Sequence, residues 1–335
     1  MSDVDSGTPR ITVIGKPRIT LVSPSIMPTI GSPGAETPVQ LIGEGFGNSQ
    51  QDVLAVTIGG IPCRHVTYVS SGELQMSMPP GAGTGLPVVV TTRGGLQSAA
   101  SPQARISYHA PDVTYVAPSH IFVSNLSATV RIDLVGSNLG PPGTVDPSYG
   151  VMLDMIPCNV TRQNQTSIEC ELDAKSFDRY PELLSTGSAA SVSSGRLAMV
   201  TPVSARIPVV VAVRGQLSPA STGAQSSLEV VGRPQVNLIT PRVIPTAGSR
   251  SLVTTGSESQ TENVRVVGNG FGFEASDVIQ VLVGGKPSPR VVWIGTTELQ
   301  IVVPPGVGKL QAVEVHTCGG LSSLSTSEGS FVQYR

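Results

Sequence analysis

Few residue patterns in this chain could support catalysis or metal binding. The four histidines lie far apart, and none has the H-x-x-x-H or H-E-x-x-H spacing that presents two imidazoles to one metal ion. No G-x-S-x-G nucleophile elbow occurs. The runs GEGFG and GNGFG look like phosphate-binding loops, but they lack the strand–turn–helix context that such loops need. We therefore expect no enzyme activity, no cofactor, and no catalytic or metal-binding residue.

Covalent modification is the chemistry that the sequence does support. Three Asn-x-Ser/Thr sequons begin at Asn125, Asn159 and Asn164. About one sequon would arise by chance in a chain of this size. Because N-linked glycans are attached to such sites in secreted proteins, the cluster favours a secreted or cell-surface protein of a eukaryote.

The composition argues against two classes of partner. Charged residues make up 13% of the 335 residues, and the net charge is −2. None of the 21 basic residues form a run that could follow a phosphate backbone, so we expect no nucleic-acid partner. No apolar stretch of about 18 residues is present, so we expect no membrane span in this segment. The 37 glycines and 28 prolines indicate short strands joined by many turns.

An internal repeat organises the chain. Residues 41–60 read LIGEGFGNSQQDVLAVTIGG, and residues 266–285 read VVGNGFGFEASDVIQVLVGG. Residues 134–140, LVGSNLG, are a partial copy. The strands that precede these copies begin with proline, at Pro17, Pro111 and Pro234. Repetition in a fixed order predicts three structural units of one design, each of about 100 residues.

Each unit has the pattern of an antiparallel sandwich. About seven short runs of β-branched residues, each bounded by Gly, Pro or Ser, follow one another at intervals of roughly a dozen residues. Two corners have the same sequence, Gly45-Phe46-Gly47 and Gly270-Phe271-Gly272. We expect their glycines to adopt positive φ and their phenylalanines to fill one end of the sandwich core. Leu139 stands in the same place in the second unit.

The repeats also predict the domain boundaries. The first unit is expected at 17–109, the second at 110–232 and the third at 233–335. Residues 1–16 are expected to be the tail strand of a preceding repeat or an N-terminal extension, which would make the chain a segment of a longer array. The second unit carries an insertion at 173–205, which we interpret as a tolerated surface loop and, alternatively, as a contact site. Because almost no linker separates the units, we expect an elongated, semi-rigid rod.

These motifs resemble the IPT/TIG domain, an immunoglobulin-like sandwich. The shared pattern is a Pro-led strand, G-x-G/N-F-G, V-x-x-GG-x-PC, a strand that ends in PPG, and a GG-x-x-S turn before the last strand. The first and third units match this pattern closely, and the second matches in part. The resemblance implies an all-β fold of three tandem immunoglobulin-like sandwiches, and it says little about function because the matched residues are turn and core positions.

The resemblance also implies a disulfide. Cys158 and Cys170 lie on consecutive predicted strands of the second unit, where the family often places such a bond. Cys63 stands opposite Met76 in the equivalent slot of the first unit, so we expect it to be a buried, unpaired thiol. Cys318 lies in a turn and is expected to be more exposed. Four cysteines are too few for a disulfide-rich scaffold.

The functional expectation follows from the family. IPT/TIG domains on cell surfaces adhere or act as spacers, whereas those of transcription factors bind DNA through loops. We expect a non-enzymatic extracellular or cell-surface protein that acts through protein or glycan contacts, with lateral or end-to-end assembly. The alternative is an intracellular structural module of a flagellar or cytoskeletal assembly. A DNA-binding TIG module is the weakest of the three, because the loops lack clustered basic residues.

Overall fold

The architecture is all-β, as predicted. A computed structural model describes residues 15–32, 38–122, 129–141, 143, 148–173, 176, 204–220, 225–249, 263–323 and 328–335. Within these ranges the chain forms strands and single-turn 3₁₀ helices, and it contains no α-helix. Most of the predicted insertion and the sequon at Asn125 lie outside the described residues.

The first unit is a sandwich of two sheets. Its strands are β1 (Arg18–Ser23), β2 (Ile26–Met27), β3 (Val39–Glu44), β4 (Val53–Ile58), β5 (Ile61–Pro62), β6 (Arg64–Ser70), β7 (Glu73–Ser77), β8 (Leu86–Thr92) and β9 (Arg105–Tyr108). One sheet has the order β1-β3-β7-β6 and the other β2-β9-β8-β4-β5. The pairs are antiparallel except β2 with β9, which is parallel.

The second unit has the same plan with one difference. Its strands are β10 (Asp112–Ala117), β11 (His120–Phe122), β12 (Thr129–Ser137), β13 (Tyr149–Leu153), β14 (Ile156–Gln163), β15 (Ser167–Asp173), β16 (Ser204–Val213), β17 (Gln216–Leu217) and β18 (Ser227–Val231). They form one continuous path, β10-β12-β15-β14-β13-β16-β18-β11, with β17 on β16. The path is continuous because β14 pairs with β13 at its start and with β15 further along.

The third unit repeats the first. Its strands are β19 (Gln235–Thr240), β20 (Val243–Ile244), β21 (Val264–Asn269), β22 (Val278–Val283), β23 (Lys286–Pro287), β24 (Arg290–Gly295), β25 (Glu298–Val302), β26 (Gln311–Thr317) and β27 (Phe331–Tyr334). The sheet orders are β19-β21-β25-β24 and β20-β27-β26-β22-β23. The sequence repeat of the first and third units therefore corresponds to a repeated strand order.

Each unit has its own hydrophobic core. Among the described residues three clusters of buried side chains occur, one for each set of strands, and the cluster of the second unit also takes in Ala82 of the first. The cores form because buried and more exposed residues alternate along the strands. In β8, for example, every second residue is buried. Phe46 and Phe271 are fully buried at matching positions, and Leu139 fills the equivalent place in the second core. A buried side chain of this size contributes about 1.5–3 kcal/mol to folding.

The buried phenylalanines depend on glycines around them. A Cβ at Gly43 would overlap the carbonyl oxygen of Arg18 and would lie 2.6 Å from the Phe46 ring, and Gly268 stands in the same relation to Phe271. Only glycine therefore lets the first strand and the aromatic ring both approach this point. The corner glycines adopt positive φ: Gly45 at 76°, Gly47 at 101°, Gly270 at 73° and Gly272 at 82°.

The first prediction concerns the third core. We expect Phe271→Ala to lower the free energy of unfolding of this unit by about 3–5 kcal/mol, because it leaves a cavity that the glycine-lined corner cannot close. Trp293 is the single tryptophan of the chain, and its indole N–H donates to the Phe271 carbonyl oxygen at 3.2 Å. Urea unfolding followed by Trp293 fluorescence therefore reports this unit directly.

The matched control is Ile279→Ala on β22. Ile279 is 62% exposed, so its truncation should change stability by no more than about 0.5 kcal/mol. Equal unfolding midpoints for Phe271→Ala and Ile279→Ala would contradict the role assigned to the buried ring.

Candidate functional site

The cysteine pair of the second unit lies where β14 passes from one strand partner to the other. Cys158 is opposite Val151 of β13, and the next residues of β14 pair with β15. Cys158 and Cys170 form a disulfide with a Cα–Cα distance of 5.6 Å, and both are buried. The bond therefore fixes β14 to β15 at the point where the two halves of the sandwich join.

The sequon at Asn159 lies beside this disulfide. Asn159 is exposed on β14, opposite Glu171, so its side chain points away from the buried Cys158 next to it. Thr161, which completes the sequon, is also exposed, and its hydroxyl donates to the Glu169 carbonyl oxygen at 3.1 Å. No hydrogen bond of the Asn159 amide occurs within the described residues. The Asn159 side chain is therefore exposed at the surface of β14.

The sequon at Asn164 has a structural role instead. Its Oδ1 accepts hydrogen bonds from the backbone N–H groups of Thr166 and Ser167, both at 2.8 Å. Its Nδ2 donates to the Ser167 hydroxyl at 2.7 Å. Asn164 thus closes the turn between β14 and β15.

Two cysteines are free thiols. Cys63 is half-buried against the first core, and its burial raises the pKa of the thiol to about 12. Cys318 is exposed. Its pKa is also raised, first by partial burial and then by the carboxylate of Asp277.

An aspartate follows the Gly-Phe-Gly corner in the first and third units. Asp52 Oδ2 accepts hydrogen bonds from the backbone N–H groups of Asn48 at 2.9 Å and Ser49 at 3.0 Å. The Asn48 bond is the main cause that lowers the pKa of Asp52, and Ser49 adds to it. Asp277 occupies the same place in the third unit. Sequence reasoning missed both, although each stands six residues after its phenylalanine.

The contacts between the first and second units, the first joint, include hydrogen bonds between neutral groups, and the charge of Arg214 in the second unit also acts on Tyr108 of the first. The Gln216 side chain accepts from the Gly83 N–H at 3.0 Å and donates to the Tyr108 carbonyl oxygen at 2.8 Å. Asn138 Oδ1 accepts from the Thr29 N–H at 3.2 Å. One glutamine thus holds two backbone groups of the neighbouring unit at once.

The contacts between the second and third units, the second joint, include ionisable groups. His120 Nε2 lies 3.2 Å from Asp277 Oδ1 and 3.1 Å from Oδ2. The His120 ring also packs on Phe273, with centroids 4.9 Å apart. Arg233 Nη1 donates to the Ser322 carbonyl oxygen at 3.0 Å. No sequence motif points to these residues, because the sequence does not show which ends of the units meet.

The described residues contain no group of three or more His, Cys, Asp or Glu side chains that could hold a metal ion. In the same part of the chain, no helix has the length and the apolar content needed to cross a membrane. Of the predicted residues, the structure brings together Cys158, Cys170 and the Asn159 and Asn164 sequons on β14, β15 and the turn between them.

Comparison with known proteins identifies the family. The IPT/TIG domain profile matches residues 17–108 and 234–332, which is more than half of the chain and covers its first and third units. The chain belongs to the IPT/TIG domain family. The predicted resemblance is confirmed.

Relatives of this IPT/TIG protein are much longer. Fibrocystin-L of Mus musculus is 29% identical over 182 residues, which cover 52% of this chain and 4% of that protein. Fibrocystin-L of Homo sapiens is 29% identical over 181 residues, again 52% of this chain and 4% of the relative. Among solved structures, the plexin A4 extracellular region is 15% identical with a TM-score of 0.29, over 98% of this chain and 26% of that one.

The second prediction concerns the disulfide of this IPT/TIG protein. We expect the double substitution Cys158→Ala with Cys170→Ala to lower the free energy of unfolding of the second unit by about 3 kcal/mol, because the crosslink restricts the unfolded chain. Differential scanning calorimetry would show one transition moving to lower temperature. Cys318→Ala, outside the disulfide, is the control. An unchanged second-unit transition in the double variant would contradict the prediction.

The third prediction concerns thiol reactivity. Because the thiolate is the reactive form, a thiol with a pKa of about 12 stays protonated until the pH rises toward that value. At about pH 8 roughly one Cys63 in ten thousand would be ionised. We expect Cys318 to react with iodoacetamide first and Cys63 only after unfolding. Cys63→Ala and Cys318→Ala separate the two rates, and rapid labelling of native Cys63 would refute this order.

Proposed function

We propose that this chain is part of an extracellular or cell-surface structural protein that works through contacts of its sandwich surfaces with protein or glycan partners. The carrying observation is the Cys158–Cys170 disulfide with the exposed Asn159 sequon on the same strand. Disulfides persist in oxidising compartments, and N-linked glycans are added to proteins that enter the secretory pathway. Two independent features of one strand thus favour the same location.

The outer surface supports a role in contacts. The first strand of each unit is an edge strand with a register shift, and each places one large apolar residue outside at that shift. These residues are Leu21, Tyr115 and Leu238, which are 52%, 46% and 47% exposed. An edge strand with exposed apolar side chains is a natural contact surface. The mean hydropathy of the chain, +0.15, agrees with surfaces that are partly covered in use.

Charge distribution does not favour a DNA-binding role. Several arginines of the described strands pair with carboxylates at the surface, such as Arg265 with Glu298 at 2.6 Å and Arg131 with Asp133 at 2.9 Å. Paired guanidinium groups are not free to contact a phosphate backbone. Protein and glycan partners remain the better supported classes.

The second candidate is an intracellular structural module of a flagellar or cytoskeletal assembly. The observation that favours it is the presence of two free thiols, Cys63 and Cys318, which are uncommon in oxidised secreted domains. In that setting the Cys158–Cys170 pair would be reduced and the sequons unused. In either setting we propose three units with boundaries near residues 110 and 233.

The fourth prediction distinguishes these locations. We expect the intact mass of protein from its native source to fall on treatment with a peptide-N-glycosidase, and to rise by two hydrogens on reduction of the disulfide. In a eukaryotic secretion system, Asn159→Gln should remove one glycan. Asn164→Gln is the comparison, because its amide is already hydrogen-bonded in the turn. A bare, fully reduced native chain would reject the extracellular proposal and support the intracellular one.

A further inference from the structure

The His120–Asp277 contact of the second joint joins two ionisable side chains that are largely buried. The two side chains are only 17% and 7% exposed, and the imidazole approaches both carboxylate oxygens. Phe122, 5.8 Å from the His120 ring, and Phe273 lie against the imidazole from the two units. Shielded from water in this way, the contact is stronger than a surface ion pair, and it is also more sensitive to the loss of either charge.

Asp277 has a second task within its own unit. Its Oδ2 accepts hydrogen bonds from the backbone N–H groups of Phe273 at 2.6 Å and Glu274 at 3.1 Å. The loop that carries Phe273 to the joint is therefore held by the same carboxylate that meets His120. A change in the charge of Asp277 acts on the loop and on the joint together.

Other groups face this contact. The Cys318 Sγ lies 3.8 Å from Asp277 Oδ1, and Glu274 is the neighbouring carboxylate on the loop. Glu229 is opposite His120 on β18, but its carboxylate already binds the Ser204 hydroxyl at 2.9 Å and lies 3.6 Å from Arg206. The Ser119 hydroxyl lies 3.3 Å from His120 Nδ1. Asp277 is thus the carboxylate placed to accept from the imidazole.

The chain supplies its own reference for this contact. Asp52 holds the corresponding loop of the first unit through Asn48 and Ser49, and no side chain of another unit reaches it within the described residues. The first joint uses the amides of Gln216 and Asn138, which carry no charge at any working pH. The two loops are alike. The two joints differ, because among these contacts only that of His120 with Asp277 involves side chains whose charge can change with pH.

We propose that His120 and Asp277 form a proton-responsive lock between the second and third units. While Asp277 is a carboxylate, it accepts from His120, and protonation of the imidazole adds an ion pair to that hydrogen bond. When acid protonates Asp277, the acceptor charge is lost and a protonated imidazole faces a neutral group. The joint then opens, the 273–277 loop is released, and the third unit gains freedom relative to the second. The first joint does not respond.

Hydrogen exchange of the full chain tests this lock. We expect the amides of residues 273–277 to be at least about tenfold better protected than those of residues 48–52 at about pH 5.5, since bonds between charged groups are among the strong ones. This ratio should be smaller at about pH 7.5, where an ordinary imidazole is neutral, and should fall toward one only below about pH 3, where an ordinary Asp carboxylate is protonated. The intrinsic rate of amide exchange changes with pH in the same way in both loops, so the ratio of their protection factors removes that effect. His120→Ala should bring the ratio near one at every pH.

Two further variants keep the test decisive. His65→Asn removes an exposed histidine of the first unit and should leave the ratio and its pH dependence unchanged. His120→Gln retains a donor without a titrating ring and should keep part of the protection. A ratio that is the same in wild type and both His120 variants would overturn the lock. A ratio lost in His120→Ala but independent of pH in wild type would overturn its response to protons.

Discussion

The fold depends on one close approach that recurs in all three units. The first strand of each unit crosses a glycine of the next long strand so tightly that a Cβ there would overlap a backbone carbonyl oxygen. The pairs are Gly43 with Arg18, Gly136 with Asp112 and Gly268 with Gln235. The second unit keeps this glycine although it has lost the phenylalanine. The constraint is therefore backbone contact first and aromatic packing second.

In the second and third units, the end built on this contact is also the end that meets the preceding unit. The corner after the glycine buries Phe46 or Phe271, then turns into the loop closed by Asp52 or Asp277. In the third unit that loop carries Phe273 and Asp277 to His120 of the second unit. In the third unit, the buried phenylalanine, the loop closed by the aspartate and the contact with the second unit thus all follow from one turn of the chain. A change at the glycine would disturb all three.

The sandwich fold could be predicted because its determinants are local. Glycines, prolines and alternating β-branched residues mark turns and strands within about ten residues of one another, and they recur in register along the chain. The joints could not be predicted, because His120 and Asp277 are 157 residues apart and meet only through the relative placement of two units. The Asn159 sequon shows the same division. Its presence is visible in the sequence, whereas its exposure beside a buried cysteine requires the strand.

The two joints show how similar units can acquire different mechanical properties. Gln216 joins two backbone groups without charge, and Ala82 of the first unit packs into the core cluster of the second. The second joint replaces this with a shielded imidazole–carboxylate contact. Shielded ion pairs add little net stability over apolar packing, but they are strongly directional and intolerant of a missing partner. The second joint therefore favours one orientation of the third unit against the second more than it strengthens the array.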